Sequence, residues 1–207
     1  MAFEATHLRF ARDLQNRLDI ANQSEYLAGS VYPDSRYVTR IHRDMTHGED
    51  APHDPFQSSL SDFEKGWATH LLYDRLSSER MQSLRPLPGT IKGFNDVWIH
   101  RTAEKLIEDM ASFRVLGENR SLLRSVQSTT CPRNEPVERL RDYYELIQQI
   151  YHDEQMTIHA YDVMWDAFHI PPDIAARVNA AFEQIGKDVT SVREIESVYG
   201  YVLQSLH

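Results

Sequence analysis

Apolar side chains recur every three or four residues through most of this sequence, which is the spacing of one face of an α-helix. Phe63, Trp67 and Leu71 show the pattern clearly. Two four-residue segments, 61–64 (Ser-Asp-Phe-Glu) and 191–194 (Ser-Val-Arg-Glu), match the Ser-x-x-Glu capping box that begins many helices. No stretch of useful length alternates apolar and polar residues as a β-strand does. The sequence therefore predicts an all-α fold, a multi-helix bundle of about seven or eight helices.

The size and composition of the chain fit one globular domain. It has 207 residues, of which 41% are hydrophobic and 26% are charged, enough for a sizeable core. We expect a single all-helical domain over residues 1–207, with the metal-site half from about 5 to 110 and a helical half from about 119 to 207. The single Cys131 excludes an internal disulfide and a thiolate cluster, so a metal ion would need nitrogen and oxygen ligands.

Charge and hydropathy limit the partners of the chain. The formal net charge is -9, and no block of Lys and Arg is present, which argues against a nucleic-acid backbone or an anionic membrane surface. The first residues, Met-Ala-Phe-Glu-Ala-Thr-His, lack the basic and apolar regions of an export signal, and no window holds about 18 uninterrupted apolar residues. We expect a cytoplasmic protein with no nucleic-acid partner and no stable membrane association.

A possible metal site begins with residues 66–74, Gly-Trp-Ala-Thr-His-Leu-Leu-Tyr-Asp. His70 and Asp74 are four residues apart, so they lie one above the other on a helix, on the face that carries Trp67 and Leu71. A buried ionised Asp must be paired or must bind a metal. Three further candidate ligands lie upstream: His7, Asp34 and His47.

These residue types suit a catalytic zinc ion, with manganese or iron as alternatives. Zinc bound by imidazole and carboxylate keeps a position open for water and lowers the pKa of that water to about 7. His70 and Asp74 would be central to such catalysis, because the carboxylate can bridge two ions that stabilise an in-line displacement at phosphorus. The sequence carries no Gly-x-Ser-x-Gly elbow and no phosphate-binding Gly-rich loop. It therefore favours one or two ions and a water-derived nucleophile.

The ordered set of motifs resembles the zinc-dependent phospholipase C family, which is related to the S1/P1 nucleases. The motifs are Thr-His-Leu at 6–8, Tyr-Leu-Ala-Gly-Ser-Val-Tyr-Pro-Asp at 26–34, Thr-His at 46–47 and the 66–74 segment. The similarity covers residues 5 to 75 and extends more loosely to about residue 110. It implies an all-α fold, a zinc cluster at one end of the helices and hydrolysis of phosphate esters.

Position by position, the resemblance implies a ligand set. Asp34, His47, His70 and Asp74 would bind one zinc, with Asp74 bridging to a second zinc that His7 also binds.

The sequence departs from the family pattern in two places. Secreted relatives begin with a Trp whose amine and carbonyl bind the second zinc, whereas this sequence begins with Met1. The family also has a His between the His-x-x-x-Asp helix and a later His-x-x-x-Glu helix, but residues 75–99 contain none. His100 and Glu104 match the later His-x-x-x-Glu spacing, and we expect them either to join the ligand set or to form the wall behind it.

Other interpretations of the same residues stay open. His70 and Asp74 would also make a hydrogen-bonded pair in a core without an ion. Asp34 could cap a helix, and His42 or His53 could take the place of His47 as a ligand.

Alternative functions also stay open. An HD-type phosphohydrolase would use an adjacent His-Asp pair, which this sequence has at 53–54 and 152–153. A non-catalytic helical metal-binding or interaction module is a third interpretation.

The expected substrate is a small soluble phosphate ester. Arg36 and Arg40, with Arg43 nearby, could bind a phosphate oxygen that is not transferred. A row of aromatic residues in the C-terminal half would form either a helix-packing surface or the interface of a homodimer. The row comprises Tyr143, Tyr144, Tyr151, Tyr161 and Trp165.

Overall fold

The computed structural model describes residues 3–87, 89, 91 and 93–206. Within these ranges the chain forms helices and no strand, so the predicted all-α class is confirmed. Met1 lies outside the described residues. The α-helices are α1 (Glu4–Leu14), α2 (Gln23–Val31), α3 (Arg36–Thr39), α4 (Arg43–His47), α5 (Asp62–Leu84), α6 (Phe94–Leu116), α7 (Ser121–Ser125), α8 (Val137–Ile150), α9 (Asp162–Ala167), α10 (Pro172–Gly186) and α11 (Val189–Gln204).

Helix lengths divide the elements into two sets. The described ranges contain eleven α-helices, more than the seven or eight expected from periodicity, and seven of them have nine or more residues. The others have four to six residues and connect the long ones. Four 3₁₀ segments complete the helical structure: Gln15–Arg17, Tyr32–Ser35, Gly117–Arg120 and Ile158–Tyr161.

Of the two predicted capping boxes, one begins a helix and the other does not. Ser61 accepts from the backbone N–H of Glu64, and the Glu64 carboxylate accepts from the backbone N–H of Ser61, so the predicted capping box at 61–64 is confirmed. The box predicted at 191–194 is wrong. Asp188 accepts from the backbone N–H of Thr190 and begins α11 before Ser191 is reached.

Helices α2 and α5 touch backbone to backbone through two glycines. A Cβ atom on Gly66 would lie 1.9 Å from the carbonyl oxygen of Tyr26, and one on Gly29 would lie 2.0 Å from that of Phe63. Both distances are far shorter than any real contact, so this approach requires the absence of a side chain. The close crossing brings the carbonyl end of α2 to the face of α5 that carries His70.

Residues from both halves of the chain share one hydrophobic cluster. The cluster includes Leu8 and Trp67 from the first half and Ile147 and Val178 from the second. A second cluster joins α1, α5 and α6 to α11, with Phe10, Leu72 and Val198 among its members. The candidate ligands therefore lie on helices that are packed from several sides.

The aromatic residues considered for a dimer surface belong to the core. All are buried, with exposures between 0% and 4%. The alternative of helix packing is the one that the structure realises for Tyr143, Tyr144, Tyr151, Tyr161 and Trp165. Across the described ranges, no helix is both long and apolar enough to cross a bilayer.

Candidate metal centre

Five predicted ligands converge at one place. The structure takes them from α1, the 3₁₀ segment after α2, the end of α4, and two successive turns of α5. None has a side chain more than 11% exposed. The five are His7, Asp34, His47, His70 and Asp74.

Four separations between the ligand atoms are close to those of a coordination shell. Asp74 Oδ1 lies 3.4 Å from His7 Nε2, and Asp74 Oδ2 lies 3.6 Å from His70 Nε2 and 3.8 Å from His47 Nε2. Asp34 Oδ2 lies 4.0 Å from His70 Nε2. Two ligands bound at about 2.1 Å to one tetrahedral ion are about 3.4 Å apart. The observed distances are equal to that value or slightly longer, so a small contraction would surround an ion.

Two overlapping sets of possible ligands share His70. One contains His7, His70 and Asp74, the other Asp34, His47 and His70, and within each the ligand atoms lie within 4.8 Å of one another. Both sets use His70, whose Nδ1 is already hydrogen-bonded to Ser30, so only its Nε2 is left for an ion. One nitrogen binds one ion, and the two sets therefore describe a single centre. A second ion would require Asp74 as a bridge, and its two oxygens do face His7 on one side and His70 on the other.

The tautomer of His70 is fixed by the fold. Its Nδ1 lies 2.9 Å from the backbone carbonyl oxygen of Ser30. A carbonyl oxygen only accepts, so Nδ1 carries the proton and Nε2 faces the centre. Outer partners of this kind orient metal-binding imidazoles in proteins.

His47 is oriented in the same way by its neighbour in the chain. Its Nδ1 lies 2.7 Å from Thr46 Oγ1, and that hydroxyl donates to the carbonyl oxygen of Arg43 at 3.2 Å. The hydroxyl proton is therefore used, and Thr46 Oγ1 accepts from Nδ1 of His47. The Nε2 atom of His47 is again directed to the centre.

Several buried polar atoms at the centre have no hydrogen-bond partner within the part of the chain that the structure describes. They are Nδ1 and Nε2 of His7, Nε2 of His47 and of His70, and Asp34 Oδ1. A buried polar atom without a partner costs free energy, and such groups are rare in native proteins. A cation bound by Asp34 Oδ1 and by one nitrogen of each imidazole would satisfy four of these five atoms, so the residues present fit a metal ion.

Burial and neighbouring charges set the ionisation of the site. Burial and, to a smaller extent, nearby His70 lower the pKa of His7 and of His47 to about 3, so both imidazoles are neutral at physiological pH. Burial opposes charge on His70 and on Asp74. Attraction to Asp74 nevertheless raises the pKa of His70, and the pKa of Asp74 is held well below its usual range, with His70 and His7 among the groups that lower it. Without an ion, these two form a buried ion pair.

The structure does not bring His100 and Glu104 to this centre. Glu104 accepts from Arg85 at 2.8 Å and from Arg101 at 2.7 Å, and His100 Nε2 lies 3.4 Å from its Oε1. Neither residue belongs to the sets of possible ligands in the described ranges. The Glu104 carboxylate balances two guanidinium groups, which accounts for its burial without an ion.

The predicted phosphate-binding arginines differ in their surroundings. Arg36 lies over the ring of Tyr37, 3.9 Å from its centroid, and donates to the Tyr37 hydroxyl. Arg40 is exposed and donates to the carbonyl oxygen of Ala167 at 3.3 Å. Of the two, only Arg36 contacts a residue that lines a cavity at the centre, because Tyr37 and Asp34 line the same cavity.

The alternative histidines lie elsewhere. His42, His53 and His152 are exposed, as are the acidic partners of the two His-Asp dipeptides, Asp54 and Asp153. Across the described ranges none of them belongs to a set of possible metal ligands. The geometry therefore selects His47 from the three histidines of its region.

Two residues at the centre were missed by sequence reasoning. Lys105 and Trp165 line the cavity beside Asp34, although they lie on α6 and α9. Burial lowers the pKa of Lys105, while Asp74 and Asp34 raise it in opposition. Lys105 directly follows Glu104, which the sequence had pointed to, but no spacing pointed to Lys105 or to Trp165 itself.

Comparisons with protein-family models, with curated proteins and with solved structures found no match to this chain. The resemblance to the zinc-dependent phospholipase C family therefore rests on the ordered motifs of the sequence.

Proposed function

We propose that this protein is a metal-dependent hydrolase of phosphate esters. One observation supports the proposal above the others: three imidazole nitrogens and two carboxylates converge while four of their buried atoms find no hydrogen-bond partner among the described residues. Zinc is the first candidate because imidazole and carboxylate are its usual ligands in catalytic sites, and manganese or iron would suit the same donors.

The candidate ligands would have different roles in holding the ion. When bound, such an ion acts as a Lewis acid that brings the pKa of a coordinated water near 7 and polarises a phosphoryl oxygen. Asp34 and Asp74 supply two negative charges that balance a divalent cation. His47 and His70 present Nε2 in fixed tautomers, so little reorganisation is needed when the ion arrives.

The net charge of the chain limits the substrate class. We propose a small soluble phosphate ester, hydrolysed in the cytoplasm, because the net charge of -9 disfavours nucleic-acid and anionic membrane surfaces. Either a phosphodiester or a phosphomonoester would suit a centre of this kind.

The first test is metal content together with turnover. Protein purified without a histidine tag is analysed for metals and assayed with bis(p-nitrophenyl) phosphate and p-nitrophenyl phosphate, before and after chelation. We expect bound metal, turnover, and loss of turnover on chelation that zinc or manganese restores. A metal-free preparation that gains no activity with either ion would refute the hydrolase.

A matched pair of variants separates this centre from the HD-type alternative. Asp74→Asn removes the carboxylate that contacts three imidazoles, so metal affinity should fall by about 100-fold or more. Asp153→Asn changes an exposed residue of the His-Asp dipeptide and should bind metal as the wild type does. The opposite result would assign the metal to the dipeptide.

A non-catalytic metal site is the second candidate, and the burial of the five ligands favours it. Closed, fully coordinated sites are typical of structural metal ions. In that case metal would raise the melting temperature by mass action while no phosphate ester is hydrolysed. Spectroscopy of the cobalt-substituted protein distinguishes the two, since a catalytic site binds exchangeable water and a closed site does not.

A further inference from the structure

A narrow cavity adjoins the metal centre at Asp34. Its lining includes Phe3, Asp34, Tyr37, Lys105, Trp165 and Phe168. The open volume is about 30 Å³, room for one or two water molecules by the measure in which a single water needs about 10–15 Å³. Tyr37 and Phe168 are stacked with ring centroids 4.5 Å apart, so aromatic side chains make the cavity narrow. It can admit a small polar group but no bulky one.

Trp165, one of the lining residues, has an indole N–H without an acceptor among the described residues. Trp165 is 4% exposed, and its Nε1 is buried. A buried donor without an acceptor costs free energy, which an incoming acceptor would recover. Tryptophan donates and never accepts, so the missing partner is a hydrogen-bond acceptor.

The lining also includes a lysine. Lys105 projects from α6 and lines both this cavity and the neighbouring groove between α5 and α6. An ammonium offers donors and no acceptor. The lining also holds polar oxygens, those of Asp34, Tyr37 and Thr102. Lys105 and Trp165 add side-chain groups that only donate, and both would be satisfied by a ligand rich in acceptor oxygens.

The charge of the loaded centre also favours an anion. Asp34 and Asp74 balance a divalent ion, and the three imidazoles are neutral when they bind it. Burial raises the pKa of Glu4 to about 8 and that of Glu108 to about 7, so these neighbours add less than two negative charges at neutral pH. Burial lowers the pKa of Lys105, and in its protonated form this residue adds a positive charge near Asp34.

We infer that this cavity is an oxyanion pocket, in which Lys105 and the indole N–H of Trp165 bind a phosphoryl oxygen of the substrate. The inference rests on the proposed function for the identity of the oxyanion and names the substrate contacts of that site. It replaces Arg40 as a phosphate contact with a lysine from a helix that carries no metal ligand. Because the cavity is narrow, the organic group of the bound ester must lie outside it.

The test measures binding of inorganic phosphate and of phenylphosphonate, a stable analogue of an aryl phosphate, to zinc-loaded protein by calorimetry. Lys105→Met should weaken both by about 10- to 100-fold, and Trp165→Phe, which keeps the ring and removes the N–H, by about 10-fold. Lys105→Arg should restore most of the affinity. Lys187→Met, an exposed charge removal at the end of α10, is the matched control and should bind like the wild type.

Metal content, measured on the same samples, separates the two proposals. Equal binding of both ligands by Lys105→Met and wild type, with metal present in each, would overturn the oxyanion pocket and leave the metal centre standing. Weakening of inorganic phosphate alone would overturn the contact with an ester. If the wild type takes up no metal, the hydrolase fails, and a difference between wild type and Lys105→Met in the metal-free protein would still support the pocket. Melting temperatures confirm that each variant is folded.

Discussion

The Nδ1 atom of His70 lies 2.9 Å from the carbonyl oxygen of Ser30, a residue on a different helix. The contact exists because α2 and α5 cross at Gly29 and Gly66 with no side chain between them. The crossing thus has two roles, since it is part of the packing and it also directs Nε2 of His70 to the metal centre. Fold stability and metal affinity should therefore change together when the crossing is disturbed.

Gly66→Ala should reduce both properties. Its new Cβ would meet the Tyr26 carbonyl oxygen at 1.9 Å, so the helices must move apart, at a cost of about 1–3 kcal/mol or more in the free energy of unfolding. Gly200→Ala, in an open position of α11, should instead stabilise the protein by about 0.5–1 kcal/mol. Urea denaturation and a zinc titration of each variant are the measurements. Gly66→Ala with wild-type stability would show that the crossing is not tight.

Metal affinity should decrease as the pH is lowered, because the ion must displace a proton from His70. The pKa of His70 is raised above 6.5, so its Nε2 carries a proton that the ion must displace, whereas His7 and His47, with pKa values of about 3, carry none. Between about pH 5 and 6.5 the dissociation constant should rise roughly tenfold for each unit that the pH falls. Calorimetry in two buffers of different ionisation enthalpy should give release of about one proton per ion from His70. A dissociation constant that is constant over that range would contradict this assignment.

Glu4 should make the metal-free protein less stable as the pH rises. Burial, with repulsion from Asp34 and Asp109, raises its pKa from 4.5 to about 8. Between these values the folded state binds more protons than the unfolded state, so the stability that Glu4 contributes is full below about pH 4.5 and is lost as the pH rises through 8. Glu4→Gln cannot ionise and escapes this loss. Its stability relative to wild type should increase by a few kcal/mol, in order of magnitude, from pH 5 to pH 8.

The surroundings of Glu4 agree with a protonated carboxyl. The hydroxyl of Tyr143 lies 2.8 Å from the carbonyl oxygen of Val31 and 3.2 Å from Glu4 Oε1, and one hydroxyl proton can serve only one of them. A proton on Glu4 satisfies both contacts. Thermal unfolding across the pH range is the measurement, with the exposed Glu183→Gln as control. A difference between Glu4→Gln and wild type that stays constant with pH would disprove the raised pKa.

Trp67 should act on metal affinity without contacting the metal. Its indole Nε1 donates to the carbonyl oxygen of Thr46 at 2.7 Å and so holds the residue before His47. Trp67→Phe keeps most of the ring packing against Tyr32 but loses the donor, leaving a buried carbonyl oxygen without that partner. We expect zinc affinity to fall about 10-fold or more, the usual range for partners outside the ligand set.

Arg133 provides an independent check on this segment. It donates to the carbonyl oxygens of Met45 and Asp50 and lies over the Trp67 ring, so it holds the chain on either side of His47. Arg133→Met should lower zinc affinity in the same direction as Trp67→Phe. Wild-type affinity in both variants would mean that His47 is placed by α4 alone.

The elements that the sequence by itself determined are those whose signals act within one or two helical turns. Apolar spacing predicted the all-α class because burial of one helix face needs only residues three and four apart. The pair of His70 and Asp74 was predictable for the same reason. The capping box at 61–64 formed as expected, whereas that at 191–194 did not, because Asp188 offered an earlier cap of the same chemistry.

The assembly of the centre depended on contacts between segments that are distant in the chain. His42, His47 and His53 are equivalent candidates by residue type, and the bonds from Trp67 and Arg133 to the backbone around His47 accompany its selection. His100 has ligand-like spacing with Glu104, but the Glu104 carboxylate accepts hydrogen bonds from Arg85 and Arg101 instead of binding at the centre.

Only the tertiary structure placed Lys105 and Trp165 beside Asp34. Their role depends on how α6 and α9 pack against the segment after α2, and no short-range pattern encodes that packing. Periodicity determines which face of a helix is buried; the shapes of the faces that meet, including a glycine contact between two backbones, decide which side chains share a site.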